Sequence, residues 1–248
     1  MIILTILFFI TAILYASVGF GGGSTYLALM LIWEIPYYIF PIIALFCNII
    51  VVSGNSINFV KSGNINLKLI LPYLIGSIPF AFIGASISIE KEFFEILLFL
   101  VLILAGFFLL IESNTFNKNN LKINSISIFI SIFIGSTIGF VSGLVGIGGG
   151  IFLSPILFLL KAGYPKHITS SASLFILINS IFGVAGQLTK EIVFNEFLNY
   201  WPLFFAVLIG GQIGNYLNIK FLSNKALALL TSLLIIFIAI RMGFRILF

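Results

Sequence analysis

Residues 14–30 read LYASVGFGGGSTYLALM, and residues 143–158 read GLVGIGGGIFLSPILF. Each holds a glycine cluster in apolar sequence, Gly19-Phe20-Gly21-Gly22-Gly23 in the first and Gly146-Ile147-Gly148-Gly149-Gly150 in the second. The clusters lie 127 residues apart in a chain of 248, one near the start of each half. Glycine runs are poor helix formers. In a bilayer, non-helical backbone is tolerated only where it is buried in protein or lines a cavity. Broken apolar segments at matching positions of two halves point to the substrate site of a secondary transporter.

Composition sets the surroundings of these clusters. The chain is 61% hydrophobic and 8% charged, and Asp is absent. Its mean hydropathy is +1.27. Charge-free apolar runs long enough to cross a bilayer fall at about 2–32, 37–60, 68–88, 93–111, 123–160, 168–189, 197–219 and 226–247. The expected fold is therefore an all-α polytopic membrane protein of about eight transmembrane helices. The first and fifth runs are too long for one straight crossing and contain the glycine clusters. Each reads as a discontinuous helix or as a span plus a re-entrant segment. The N-terminal run lacks the basic start of a signal peptide and reads as a retained first span.

The polar stretch ESNTFNKNNLK at 112–122 divides the chain. It separates a first transmembrane repeat, 1–111, from a second, 123–248. A further match supports duplication: Pro72-Tyr73-Leu74 and Ile83-Gly84-Ala85 align without gaps on Pro202-Leu203-Phe204 and Ile213-Gly214-Asn215, at an offset of 130. Ala206, Gly210 and Gly214 recur every four residues, a stripe that lets helices approach closely in lipid. An even number of passes per half makes the repeats parallel, and an odd number makes them inverted. Eight passes would put Lys61 and Lys68 on the N-terminal side and Lys161 and Lys166 on the other. The count of basic residues is then seven against five, favouring both termini inside.

Few side chains here carry chemistry. There is no phosphate loop, no Cys/His metal set, no paired membrane carboxylates and no Ser with a nearby His and acid. The lone Cys47 forms no intrachain disulfide. No basic cluster suggests a nucleic-acid partner. Arg241 reads as snorkelling to the interface, and His167 as a surface or capping residue. What remains is neutral. Ser17, Ser24 and Thr25 flank the first cluster, and Ser142 and Ser154 the second. Asn48, Ser53, Asn55 and Asn58 punctuate the second run; Thr169, Ser170, Ser171 and Ser173 open the sixth. Taken singly, such residues serve local helix bonding or interhelical contact. Together with exposed glycine amides and the positive ends of restarting helices they suit an anion. Carbonyls at the same breaks suit a cation, so the breaks alone leave the sign of the substrate open.

The pattern resembles the sulfite exporter TauE/SafE family. The likeness is carried by GFGGG at 19–23, GLVGIGGGIFLSPIL at 143–157 and the run Pro165-Lys166-His167-Ile168-Thr169-Ser170-Ser171. In that run Thr169–Ser171 matches the family's Ala-Thr-Ser-like element. The family's first-half counterpart often ends in Thr-Ser or Thr-Asn, and of Phe46-Cys47-Asn48 only Asn48 fits it. The glycines of 83–85 and 213–215 fit the family's late-helix pattern. The resemblance implies a multi-pass permease in the inner membrane of a bacterium or archaeon, moving sulfite, sulfonates or related organosulfur anions. We expect no enzyme activity, no cofactor and no metal. The expected partners are a small anionic substrate and the lipid bilayer, with homo-oligomerisation left open. Alternating access around a midplane site is expected. Its substrate-binding residues would be Gly21, Gly22, Gly23, Ser24, Asn48, Gly148, Gly149, Gly150, Ser170 and Ser171.

Overall fold

With no water in the hydrocarbon, a spanning segment must satisfy its own backbone, and for a segment outside a closed barrel that leaves the α-helix. The computed structural model describes residues 1–115, 124–190 and 196–218, with the single positions 236 and 240. Among these residues all regular structure is helical. The α-helices are α1 (Ile2–Val18), α2 (Gly23–Ile32), α3 (Phe40–Lys61), α4 (Leu67–Ser86), α5 (Lys91–Thr115), α6 (Ile128–Val145), α7 (Gly150–Leu159), α8 (Pro165–Gln187) and α9 (Trp201–Asn218). Among the described residues four stretches are long and apolar enough to cross a membrane: Tyr37–Lys61, Leu67–Ser86, Ile128–Val145 and Lys166–Gln187. The expected run at 226–247 lies outside the described residues, apart from positions 236 and 240. So does most of the 112–122 linker, whose first residues instead continue α5 to Thr115.

Local chemistry explains the helix limits. Pro41 and Pro165 stand in the first turns of α3 and α8, where a missing N–H costs nothing. Inside the apolar helices hydroxyls bond back to the preceding turn. Thr137 Oγ1 donates to Phe133 O at 3.0 Å and Ser136 Oγ to Ile132 O at 2.9 Å. A polar side chain is thereby tolerated without a ligand.

Each glycine cluster ends one helix and begins another. The chain turns at Gly19 (φ 88°) and Gly22 (φ 88°), and again at Gly146 (φ 89°) and Gly149 (φ 78°). This left-handed backbone is open to glycine and strained for other residues. The chain then doubles back. Tyr26 of α2 stacks on Phe8 of α1, ring centroids 4.6 Å apart. Ahead of α6, Asn124 N donates to Lys161 O at 3.0 Å and Asn124 Nδ2 to Leu160 O at 3.2 Å, beyond the end of α7. α2 and α7 have 10 residues each, roughly 15 Å of helix against a hydrocarbon core of roughly 30 Å. They are half-helices that return toward the end they came from.

The doubling back corrects the expected side of the basic residues. Lys61 and Lys166 line one cavity, because α2 and α7 turn round instead of crossing. That cavity also holds Val18 and Asn215, the far ends of α1 and α9. Tyr37, Ile87, Leu144 and Lys190 line a second cavity at the opposite end.

Glycines set the helix spacings. α4 packs along α6, α1 along α9, and α3 meets α8 between them. A Cβ at Gly139 would lie 2.5 Å from Ser77 O, and one at Gly84 would collide with Phe140 O. On the other pair, a Cβ at Gly210 would lie 2.5 Å from Phe9 O, and one at Gly214 would collide with Ile13 O. Such backbone-to-backbone approach is how small residues join helices in lipid.

Candidate functional site

The two breaks share three equivalent backbone bonds. Phe20 N donates to Tyr15 O at 2.9 Å, and Ile147 N to Ser142 O at 3.2 Å. Beyond the turn, Thr25 N and Tyr26 N donate to Gly22 O, both at 3.0 Å. Phe152 N and Leu153 N donate in the same way to Gly149 O, at 3.0 and 3.2 Å. The amides of Gly23 and Ser24, and of Gly150 and Ile151, therefore stand ahead of the intrahelical ladder. They form the positive ends of α2 and α7.

Asn48 of α3 sits between the breaks and is fully buried. Its Nδ2 donates to Ile147 O at 2.9 Å, while its Oδ1 has no hydrogen-bond partner. The glycines are what admit it. A Cβ at Gly21 would collide with Asn48 Oδ1. One at Gly23 would lie 2.7 Å, and one at Gly148 2.9 Å, from Asn48 Nδ2. Gly149 and Gly150 are crowded differently. Phe175 lies 2.9 Å from a Cβ on Gly149, and Ala172 O lies 2.6 Å from one on Gly150.

The remaining expected residues divide. Gly22 packs near Tyr26 and Thr11 of its own hairpin. Ser24 is buried beside the first break, where Tyr15 OH lies 3.5 Å from Ser24 Oγ and 2.8 Å from Thr25 Oγ1. Ser170 stands elsewhere: its hydroxyl donates to Asn64 O at 2.7 Å and to His167 O at 3.1 Å. It ties α8 to the α3–α4 turn instead of meeting the glycines. Ser171 is fully buried and its Oγ has no partner.

Three groups at the breaks escaped sequence reasoning. Tyr15 holds the first hairpin together by its hydroxyl. Ile147 contributes a carbonyl, which no side-chain pattern signals. Ser180 lies 2.8 Å from a Cβ on Gly148 and is buried with an unpartnered Oγ. Its place on α8, two turns beyond Ser173, was the available signal.

Space completes the geometry. At the first break, between Tyr15, Gly21–Gly23 and Ile147, the cavity measures about 10 Å³. That is the room of one water at most, so the breaks are closed in this conformation. Two larger cavities lie at the ends of the helices, about 630 Å³ beside Lys61 and Lys166 and about 460 Å³ beside Lys190.

Comparison with known proteins finds a membrane transporter family and three of its relatives. The family model described as Sulfite exporter TauE/SafE matches residues 4–242. Probable membrane transporter protein y4hK of Sinorhizobium fredii is 28% identical over 94% of each chain. Probable membrane transporter protein YunE of Bacillus subtilis is 23% identical, covering 97% of this chain and 96% of its own. Probable membrane transporter protein MJ0441 of Methanocaldococcus jannaschii is 31% identical over 76% of this chain and 73% of its own. No solved structure matches the chain.

Proposed function

This chain belongs to the sulfite exporter TauE/SafE family of membrane proteins, and on that premise we propose that it is a permease for small anions. Sulfite, a sulfonate or a related organosulfur anion is the proposed substrate. The protein works in the inner membrane of a bacterium or archaeon, by alternating access and without cofactor or catalysis. Gly21–Gly23, Ser24, Asn48 and Gly148–Gly150 form the transported anion's site.

The observation that carries this reading is the meeting of two helix N-termini at Asn48. Four backbone amides stand outside their ladders there. The Asn48 amide has a second N–H beyond the one given to Ile147. Each helix end contributes roughly 0.3–1 kcal/mol toward an anion when exposed, and up to about 2 when partly buried. Closure to about 10 Å³ means the elements around Asn48 must part to admit substrate. Ser170, bonded to Asn64 O away from the breaks, acts on the path rather than at the centre, and the buried hydroxyl of Ser171 is a further donor to the anion.

Two inverted halves, 1–111 and 123–248 about the linker 112–122, provide the two states. The first half has a re-entrant hairpin followed by three crossings, α3, α4 and α5, an odd number. Equivalent contacts favour it: Gly84 on Phe140 O and Gly214 on Ile13 O pair residues offset by 130 and 127. The two end cavities correspond in the same way, the C-terminal ends of α1 and α6 each facing an end of α3 and of α8.

The test is sulfite counterflow into proteoliposomes, with sulfate, methanesulfonate and chloride as competitors. Saturable exchange blocked by methanesulfonate is expected. Competition by cations or neutral metabolites would move the substrate to another class. No exchange above protein-free liposomes, with folded protein, would remove the permease reading.

A further inference from the structure

The cavity of about 630 Å³ lies away from the glycine breaks, between the ends of α1, α3 and α9 and the start of α8. Its mouth carries Lys61 and Lys166, both exposed. Among the described residues no carboxylate pairs with either; the ion pair found there joins Lys91 and Glu95. Deeper in, Asn55 and Asn215 line the wall at 2% and 4% exposure. Asn55 Nδ2 and both side-chain polar atoms of Asn215 have no hydrogen-bond partner. Buried amides left unpaired are costly, and two residues that carry them line one cavity, which points to a ligand that pairs them.

Charge selects the ligand. Two ammonium groups at the mouth repel cations and raise the local concentration of anions. Amide N–H groups below them donate to oxyanion oxygens. The surrounding end of the molecule is biased the same way. Among the described residues, Lys61, Lys68, Lys161 and Lys166 stand there. At the other end, among the described residues, are Lys91 and Lys190 with Glu34, Glu90, Glu92, Glu95 and Glu196. By the positive-inside rule the end with more lysines faces the cytoplasm.

We propose that this cavity is an anion-binding vestibule on the cytoplasmic face, in which Lys61 and Lys166 attract a small oxyanion and Asn55 and Asn215 bind it, short of the glycine breaks. The assignment of the anion as cargo rests on the permease reading; the binding itself does not. Val18 and Thr169 line the floor. Thr169 Cγ2 lies 3.1 Å from a Cβ on Gly19, the first residue of the first break. An anion held in the vestibule is therefore one layer of side chains from the closed site.

The experiment places a reporter thiol at the exposed, cavity-lining Asn58. Purified Asn58→Cys protein, with Cys47→Ala to remove the native thiol, is reacted with an anionic and with a cationic methanethiosulfonate. The ratio of the two rates reads the local potential. Lys61→Gln with Lys166→Gln is expected to lower the anionic preference about tenfold or more, while Lys61→Arg with Lys166→Arg retains it. Methanesulfonate is expected to slow the labelling, and to lose that effect in Asn55→Leu with Asn215→Leu. An unchanged ratio in the glutamine pair, with the arginine pair and gel filtration reporting a folded protein, would overturn the proposal. So would an absence of protection by methanesulfonate. Neither readout needs transport. Charge preference and protection without counterflow would leave the vestibule standing and sink the permease, and the reverse result would sink only the vestibule.

Discussion

Asn48 Nδ2 lies 2.9 Å from Ile147 O, joining α3 of the first half to the glycine break of the second. The two residues are 99 positions apart in sequence, and the contact is fully buried. Gly21 and Gly23 flank the same side chain from the first break. One asparagine thus touches both breaks, and the equivalent place on α8 is filled by Ile176, which crowds Gly150. The site is asymmetric although the backbone turns around it are alike. The side-chain amide that joins the two breaks comes from one half only.

Gly21→Ala tests that fit. The added methyl falls on Asn48 Oδ1, so Asn48 must shift away from Ile147. A hydrogen bond to a charged group is worth roughly 1.5–3 kcal/mol, and misplacing its donor should weaken anion exchange about ten- to hundredfold. Counterflow kinetics measure this, with membrane insertion checked by yield and gel filtration. Normal exchange in Gly21→Ala would separate Asn48 from the substrate.

Gly84→Val and Gly214→Val probe the helix contacts. Each side chain would strike a carbonyl oxygen of the facing helix, Phe140 O for one and Ile13 O for the other. Overpacking of this kind costs typically about 1–3 kcal/mol. Thermal unfolding in detergent should show a lowered midpoint for both. Gly63→Val has open space around its Cβ but lies in left-handed backbone (φ 67°), so it should show backbone strain alone and a smaller loss.

Lys190 gives a pH dependence at the other end. Half-burial in the cavity beside Tyr37 and Leu144 pushes its ammonium down to about 8 from the ordinary 10.5; its Nζ lies 3.2 Å from Gln187 Oε1. The charge is present below about pH 8 and lost above it. Affinity for methanesulfonate, whose own charge is constant, should fall from that side as pH rises through about 8. Stability should move the opposite way. The unfolded chain holds this proton up to about 10.5, so folding gains as pH rises between the two values. Lys190→Arg keeps its charge and should flatten the affinity profile. A decline that persists in Lys190→Arg would assign it to another group.

Much of this was legible in the sequence for physical reasons. A bilayer demands long apolar helices, so the described helices fall on the expected apolar runs, with two helices in each of the runs 2–32 and 123–160. Glycine pairs mark the breaks because Gly19, Gly22, Gly146 and Gly149 adopt a backbone that other residues resist. The direction of the chain after each break was not legible. It depends on Tyr26 reaching Phe8 and on Asn124 reaching Leu160 and Lys161, contacts that hydropathy does not encode. The error then spread to the lysines, whose side of the membrane follows from that direction. Ser170 was chosen for its type and its neighbours, yet its hydroxyl is occupied by Asn64 O. Asn55 and Asn215 join one cavity only because α3 and α9 pack together, and no local pattern links them.

The central claim is that the paired breaks around Asn48 bind the transported anion. Counterflow of labelled sulfite by the wild-type protein and by Asn48→Leu, reconstituted side by side at equal protein content, tests it most directly. The account predicts saturable exchange in the wild type and a loss of about tenfold or more in Asn48→Leu, with both proteins folded. Equal exchange by the two proteins would contradict it.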